Sequence, residues 1–180
     1  MTRRQAEVDT EAALAAGELG RAAQIAMQAR GWGELGEDGA RALELIHTLT
    51  PAILWPVSPD AMPTLRCLAA MSFLWGEDGP AERAIPDGFW TGIHLDPLTA
   101  ARMLLFAAYH RVRLENWRML DMPGRRQYRV DAIDDPDNCA ACRALAARPP
   151  VLRLEDIPEL PHPGCTSPRG CRCGPRRERR

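Results

Sequence analysis

Apolar residues recur along most of this chain at helical rather than strand spacing. Leu98, Ala101, Leu105, Ala108 and Val112 fall alternately three and four apart, and Asp96-Pro97 ahead of them supplies an N-cap and a first-position proline. A long helix is therefore predicted from there to about Leu120, with Arg102, Arg111, Arg113 and Arg118 mostly off the stripe as a solvated basic face, or alternatively a binding face. The segment from about Pro63 to Trp75 is apolar on nearly every side, which predicts a helix at the buried centre of a bundle, between proline-bearing loops at 51–63 and 76–97. Cys67 within it reads as a small core residue. A further helix is expected from Glu37 to Leu49, turning Leu43, Ile46 and Leu49 or Ala42, Leu45 and Leu49 inward and stopped by Pro51. After Met122-Pro123-Gly124 the period changes. Tyr128 and Val130 alternate with charged residues between Gln127 and Ile133, which suggests one short strand. Asp134-Asp135-Pro136-Asp137-Asn138 then offers a turn and a cap for a short helix from about Cys139 to Ala147, without the spacing or glycine of a calcium loop.

Residues 6–30 read as a helical hairpin turning at Gly17-Glu18-Leu19-Gly20. Gly17, Leu19, Ala22 and Ala29 place a turn glycine, a large residue and two small ones as in the turn and second helix of a tetratricopeptide repeat, which this segment of about 25 residues weakly resembles. No second copy follows at that family's period, so a single hairpin is expected. Gly31-Trp32-Gly33-Glu34-Leu35-Gly36 matches a dinucleotide-binding fingerprint in letters only. A helix precedes it where a strand is required, and Glu34, Glu37 and Asp38 would repel a pyrophosphate. It reads as a helix linker.

Together these elements predict a mainly α protein, a helical bundle with a small C-terminal zinc-ribbon or knuckle-like module containing one or two short strands. The expected division is a helical domain at 1–122, a cysteine-rich module at 123–173 and a basic disordered tail at 174–180. Composition adds three limits. The chain is 46% hydrophobic with five tryptophans among 180 residues, enough for a packed core. Its net charge of −1 argues against the broad positive field of a nonspecific nucleic-acid binder, although Arg176, Arg177, Arg179 and Arg180 cluster in the tail. No secretory signal follows Arg3 and Arg4, and no apolar run approaches the roughly 20 residues of a membrane span. A cytoplasmic protein with no membrane contact is expected, in which clustered thiols stay reduced.

Five of the six cysteines lie in the last 42 residues, as Cys139-x-x-Cys142 and Cys165-x5-Cys171-x-Cys173. Zn2+ in a structural site takes four donors in a tetrahedron, usually from two short knuckles, and this segment offers two, with Gly170 letting the backbone turn in the second. Cys139, Cys142 and Cys165 are the firmer candidates, with Cys171 or Cys173 completing the set; C-x-C can also chelate with both sulfurs and release Cys165. The same residues, with Leu160-Pro161-His162-Pro163-Gly164-Cys165 and Gly170-Cys171-Arg172-Cys173, resemble the C-terminal cysteine motif of phage head morphogenesis (minor capsid) proteins. There C-x-x-C is followed by His-Pro-x-Cys-Arg-Cys; here Thr-Ser-Pro-Arg-Gly-Cys is inserted before Arg-Cys. The resemblance covers about 40 residues, implies a metal-binding knuckle and nominates His162 as an extra ligand.

H-E-x-x-H, P-loop, nucleophile-elbow and deaminase signatures are all missing from the sequence. The leading expectation is a non-catalytic zinc-binding protein whose partner is another protein. The alternatives are a nucleic-acid-binding protein using the knuckle and arginine tail, and a thiol redox protein built on Cys139-x-x-Cys142.

Overall fold

A computed structural model describes residues 1–121, 126–132 and 138–179. The fold is mainly α, with a small antiparallel sheet beside the C-terminal cysteines. The expected hairpin is formed by α1 (Arg3–Ala15) and α2 (Leu19–Ala29). Thr2 caps α1 by accepting from Gln5 N, and Gly17, at φ +74°, makes the left-handed turn between the helices. Residues 30–36, the glycine-rich segment, link α2 to α3 (Glu37–Thr48), which buries Ala42, Leu43, Leu45 and Ile46 and leaves Leu49 half-buried at its end.

Helix α4 (Met62–Trp75) occupies the centre, as its all-round apolarity predicts. It packs against α1, α2, α3 and α6, and buries Leu65, Leu68, Ala69, Ala70, Met71, Leu74 and Trp75. Cys67 is half-buried against that core. The helix ends at Gly76 in the left-handed region, φ +69°, where the Arg30 guanidinium donates to the Leu74 carbonyl at 2.6 Å and so satisfies an end of the helix that lacks an internal donor. The loop expected at 76–97 contains a short helix, α5 (Gly79–Arg83). Helix α6 (Pro97–Leu120) starts as predicted, with the Asp96 carboxylate accepting from Thr99 N at 3.0 Å. Its buried face is wider than the predicted stripe, because Ala100, Met103, Leu104 and Ala107 are covered as well.

Strand β1 (Arg126–Asp131) pairs antiparallel with β2 (Gly174–Arg179), Tyr128 opposite Arg177 and Asp131 opposite Gly174. Tyr128 also exchanges two backbone hydrogen bonds with Val151, at 2.9 and 2.7 Å. The expectation of a disordered tail is therefore corrected for residues 174–179. Their backbone finds the open edge of β1, and Arg176 and Arg177 meet Asp131 at 3.1 Å and Asp121 at 2.7 Å, so charges that suggested a solvated terminus are paired. Trp117 on α6 stacks on Tyr128 with ring centroids 6.0 Å apart, and the Tyr128 hydroxyl donates to Asp121 at 3.0 Å, fastening the sheet to the end of the long helix. The boundary expected at 122/123 and the aspartate-rich turn at 134–137 lie outside the described residues. Among the described residues no helix is long and apolar enough to cross a membrane.

Candidate metal centre

Two short turns carry the cysteines. Helix α7 (Ala140–Ala146) begins immediately after Cys139, and that cysteine is its own N-cap: Sγ accepts from Cys142 N at 3.4 Å. A single turn thus brings Cys142 beside Cys139. This differs from the expected aspartate or asparagine cap. The second knuckle folds through two consecutive turns, Cys165 N donating to His162 O and Gly170 N donating to Ser167 O, both at 3.0 Å. Gly170 has φ +74°, and a Cβ there would stand 2.4 Å from Met103 Cε and 2.7 Å from Met103 Sδ. The next residue, Cys171, donates its backbone N–H to Met103 Sδ at 3.1 Å. The knuckle is therefore seated on α6 at a left-handed turn that favours glycine, where any side chain would also push Met103 aside. Gly170→Ala is expected to cost about 2 kcal/mol, from left-handed strain and the forced retreat of Met103; a urea unfolding midpoint unchanged from the parent protein would contradict this.

The five sulfurs form one contiguous cluster. Cys139, Cys142 and Cys165 make one group and Cys142, Cys171 and Cys173 another, with all sulfurs inside each group within 4.8 Å of one another. Cys139 Sγ lies 3.7 Å from Cys165 Sγ, and Cys142 Sγ lies 3.8 Å from Cys171 Sγ. A disulfide requires about 2.05 Å. Two thiolates bound to one tetrahedral ion at about 2.3 Å stand about 3.8 Å apart, so the observed spacing, here bridged by thiol hydrogen bonds, also suits sulfurs placed to hold a shared cation. Cys142, Cys165, Cys171 and Cys173 are at most 3% exposed, and Cys139 is half-buried at the mouth.

Burial works against ionising Cys139, but hydrogen bonds from the Cys142 and Thr166 backbone, then from Cys142 and Cys165, bring it down to about 7. Cys171 is drawn strongly toward the thiolate by hydrogen bonds from Cys165 and Cys173. Its neighbours move the opposite way: Cys142 through burial and the charge on Cys171, and Cys165 and Cys173 first through hydrogen bonding to Cys171. Cys171 and Cys139 are thus drawn toward the thiolate and Cys142, Cys165 and Cys173 away from it, and a bound cation would take the place of the protons held among them.

All five cysteines singled out from the sequence meet here. Cys67 does not join either group; burial, then the Glu11 charge, pushes its thiol up to about 11. His162 contributes its backbone, donating N–H to Cys171 Sγ at 3.3 Å, while its imidazole Nδ1 accepts from Gly164 N at 3.1 Å. Met103 is the contact that sequence reasoning missed, since nothing in the helical stripe distinguishes a methionine that supports a knuckle from one that fills the core. The site and fold define a helical protein with a C-terminal cysteine cluster placed to hold a metal ion. No family model, curated protein or solved structure matches the chain.

Proposed function

We propose that this chain is a non-catalytic zinc protein in which a tetrathiolate zinc site closes the C-terminal module and the helical body serves as a protein-interaction surface. The observation that carries the zinc reading is the spacing of 3.7 and 3.8 Å between paired sulfurs, the edge length of a Zn–S tetrahedron. An all-sulfur donor set favours Zn2+ over hard cations such as Mg2+ or Ca2+. The segment from Pro149 to Gly164 is too rich in proline to hold itself in helix, and a metal joining the knuckles on either side of it would order it.

The interaction reading rests on three tryptophans that the fold leaves outside: Trp32 is 59% exposed, and Trp55 and Trp90 are each 72% exposed. Large aromatic residues are enriched where proteins bind one another. Trp32 edges a groove of about 770 Å³ between α2 and α3, lined by Leu19, Ala23, Met27, Leu35 and Leu43. The similarity of the cysteine segment to phage head morphogenesis proteins is compatible with an assembly role, in which a metal-closed module holds a chain terminus in place.

Elemental analysis of the purified protein, with thiol titration before and after chelation, tests the zinc reading. One zinc per chain is expected, with four thiols protected until the chelator is added. Absence of any metal, with Cys139 and Cys142 cycling between thiol and disulfide, would overturn it in favour of redox chemistry.

A further inference from the structure

Among the described residues the sulfurs of the cluster gather in threes. Cys139, Cys142 and Cys165 are mutually close, and so are Cys142, Cys171 and Cys173, with all the sulfurs of a group within 4.8 Å of one another. Cys142 is common to both groups. A single tetrahedral ion needs a fourth sulfur drawn toward one of them, whereas an ion satisfied by three sulfurs takes each group as it stands. Three sulfurs in a plane around one ion, at a metal–sulfur length of about 2.3 Å like that of zinc, stand about 4.0 Å apart. The 3.7 Å between Cys139 and Cys165 and the 3.8 Å between Cys142 and Cys171 lie close to that spacing. Each group also has a backbone donor on one of its sulfurs. Cys142 N donates to Cys139 Sγ at 3.4 Å, and His162 N donates to Cys171 Sγ at 3.3 Å, so negative charge on a sulfur of either group is steadied independently of the other.

Resting on the reading of the cluster as a zinc centre, we infer that the same sulfurs also form a two-ion site for a soft monovalent cation, Cu+. One ion sits in the group of Cys139, Cys142 and Cys165, a second in the group of Cys142, Cys171 and Cys173, and the Cys142 thiolate bridges them. Thiolate sulfur selects Cu+ as it selects Zn2+, and Cu+ differs in being satisfied by three thiolates and in readily sharing one of them with a second Cu+. The two places differ in access: the first includes Cys139, half-buried at the mouth, whereas every sulfur of the second is buried. Two Cu+ carry the same charge as the one Zn2+ they replace. As they bind, the zinc leaves for solution and the fifth thiol, joining the other four as a thiolate, gives its proton to the solvent. Copper stays Cu+ and no sulfur is oxidised, so no electrons are transferred. Cys67, outside both groups, takes no part.

The experiment titrates the full purified chain, without oxygen, with Cu+ delivered as its complex with a chromophoric chelator such as bicinchoninate. Copper and zinc per chain are counted, and X-ray absorption at the copper edge reports the sulfurs on each ion and any neighbouring copper. Two Cu+ per wild-type chain are expected, each with three sulfurs and with a copper–copper scattering path, and with the zinc released as they bind. Cys139→Ala and Cys173→Ala each remove one group, so uptake should fall from two ions to one and the copper–copper path should vanish; Cys67→Ala should keep both ions and the path. The wild-type result stands without any variant having to fold. Uptake of a single Cu+, or of two with no copper–copper path, overturns the inference, as does a Cys139→Ala or Cys173→Ala chain that still holds a bridged pair. Zinc present in the purified protein together with such a copper result sinks the inference alone. A purified chain without zinc sinks the zinc reading whatever the copper titration shows, which separates the two failures.

Discussion

Replacing Cys142 with serine is expected to release the metal and unravel the C-terminal module while leaving α1 to α6 folded. Cys142 is 1% exposed and shared by both sulfur groups, so no rearrangement of the other four substitutes for it. Structural zinc binding in small modules is worth on the order of 10 kcal/mol, and the module has little else to fold on. Its helix α7 spans 7 residues, its sheet two strands, and the chain between the knuckles is rich in proline. The helical body has its own centre, running through α4 and sealed by α1, α2, α3 and α6, while the module packs its cysteines, Leu145 and Leu160 against one side of that core. Amide hydrogen exchange should show protection lost across 139–173 and kept across 62–75, with helical circular dichroism reduced only slightly. A variant that keeps both its metal and its protection at 139–173 would mean the cluster is not what closes the module.

Local signals in the sequence were strong enough to place much of the fold and the site. Asp96-Pro97 marked the start of α6 because capping is decided by adjacent residues, and Pro63–Trp75 marked the centre because a helix apolar on all sides has no stable place but the interior. The cysteines announced themselves by spacing. What stayed hidden were features that depend on partners distant in sequence. Residues 174–179 are a strand only because β1 leaves an edge for them and Asp121 and Asp131 receive their arginines, more than 40 residues away along the chain. Met103 supports the knuckle across 68 residues, and its role follows from the absence of a side chain at Gly170. Helix α5 is a 5-residue turn whose own sequence, Gly79-Pro80-Ala81-Glu82-Arg83, carries a loop signal.

The second large effect is expected far from the cysteines, at Glu7, which is 3% exposed on α1. Its carboxylate receives Arg83 from α5 through two bonds, Nη2 to Oε1 at 2.8 Å and Nε to Oε2 at 3.1 Å, with Arg3 at 3.2 Å and Arg4 at 3.3 Å adding one each. Burial alone would raise the Glu7 pKa, but the hydrogen bonds from Arg83, Arg3 and Arg4 outweigh it and hold the carboxyl below its usual value. Arg83→Ala removes the paired guanidinium and leaves a buried charge with two weaker donors, for an expected loss of about 3 kcal/mol at pH 7. The pH dependence separates this cause from lost packing. A carboxyl whose folded pKa is depressed contributes stability above its unfolded value, about 4.3, and loses that contribution as the pH falls through the folded pKa. Wild type should therefore lose more stability on acidification than Arg83→Ala, and the gap between their urea midpoints should narrow steadily below pH 4. A gap of constant size from pH 7 to pH 3 would assign the effect to the aliphatic stem of Arg83 rather than to the charge it brings to Glu7.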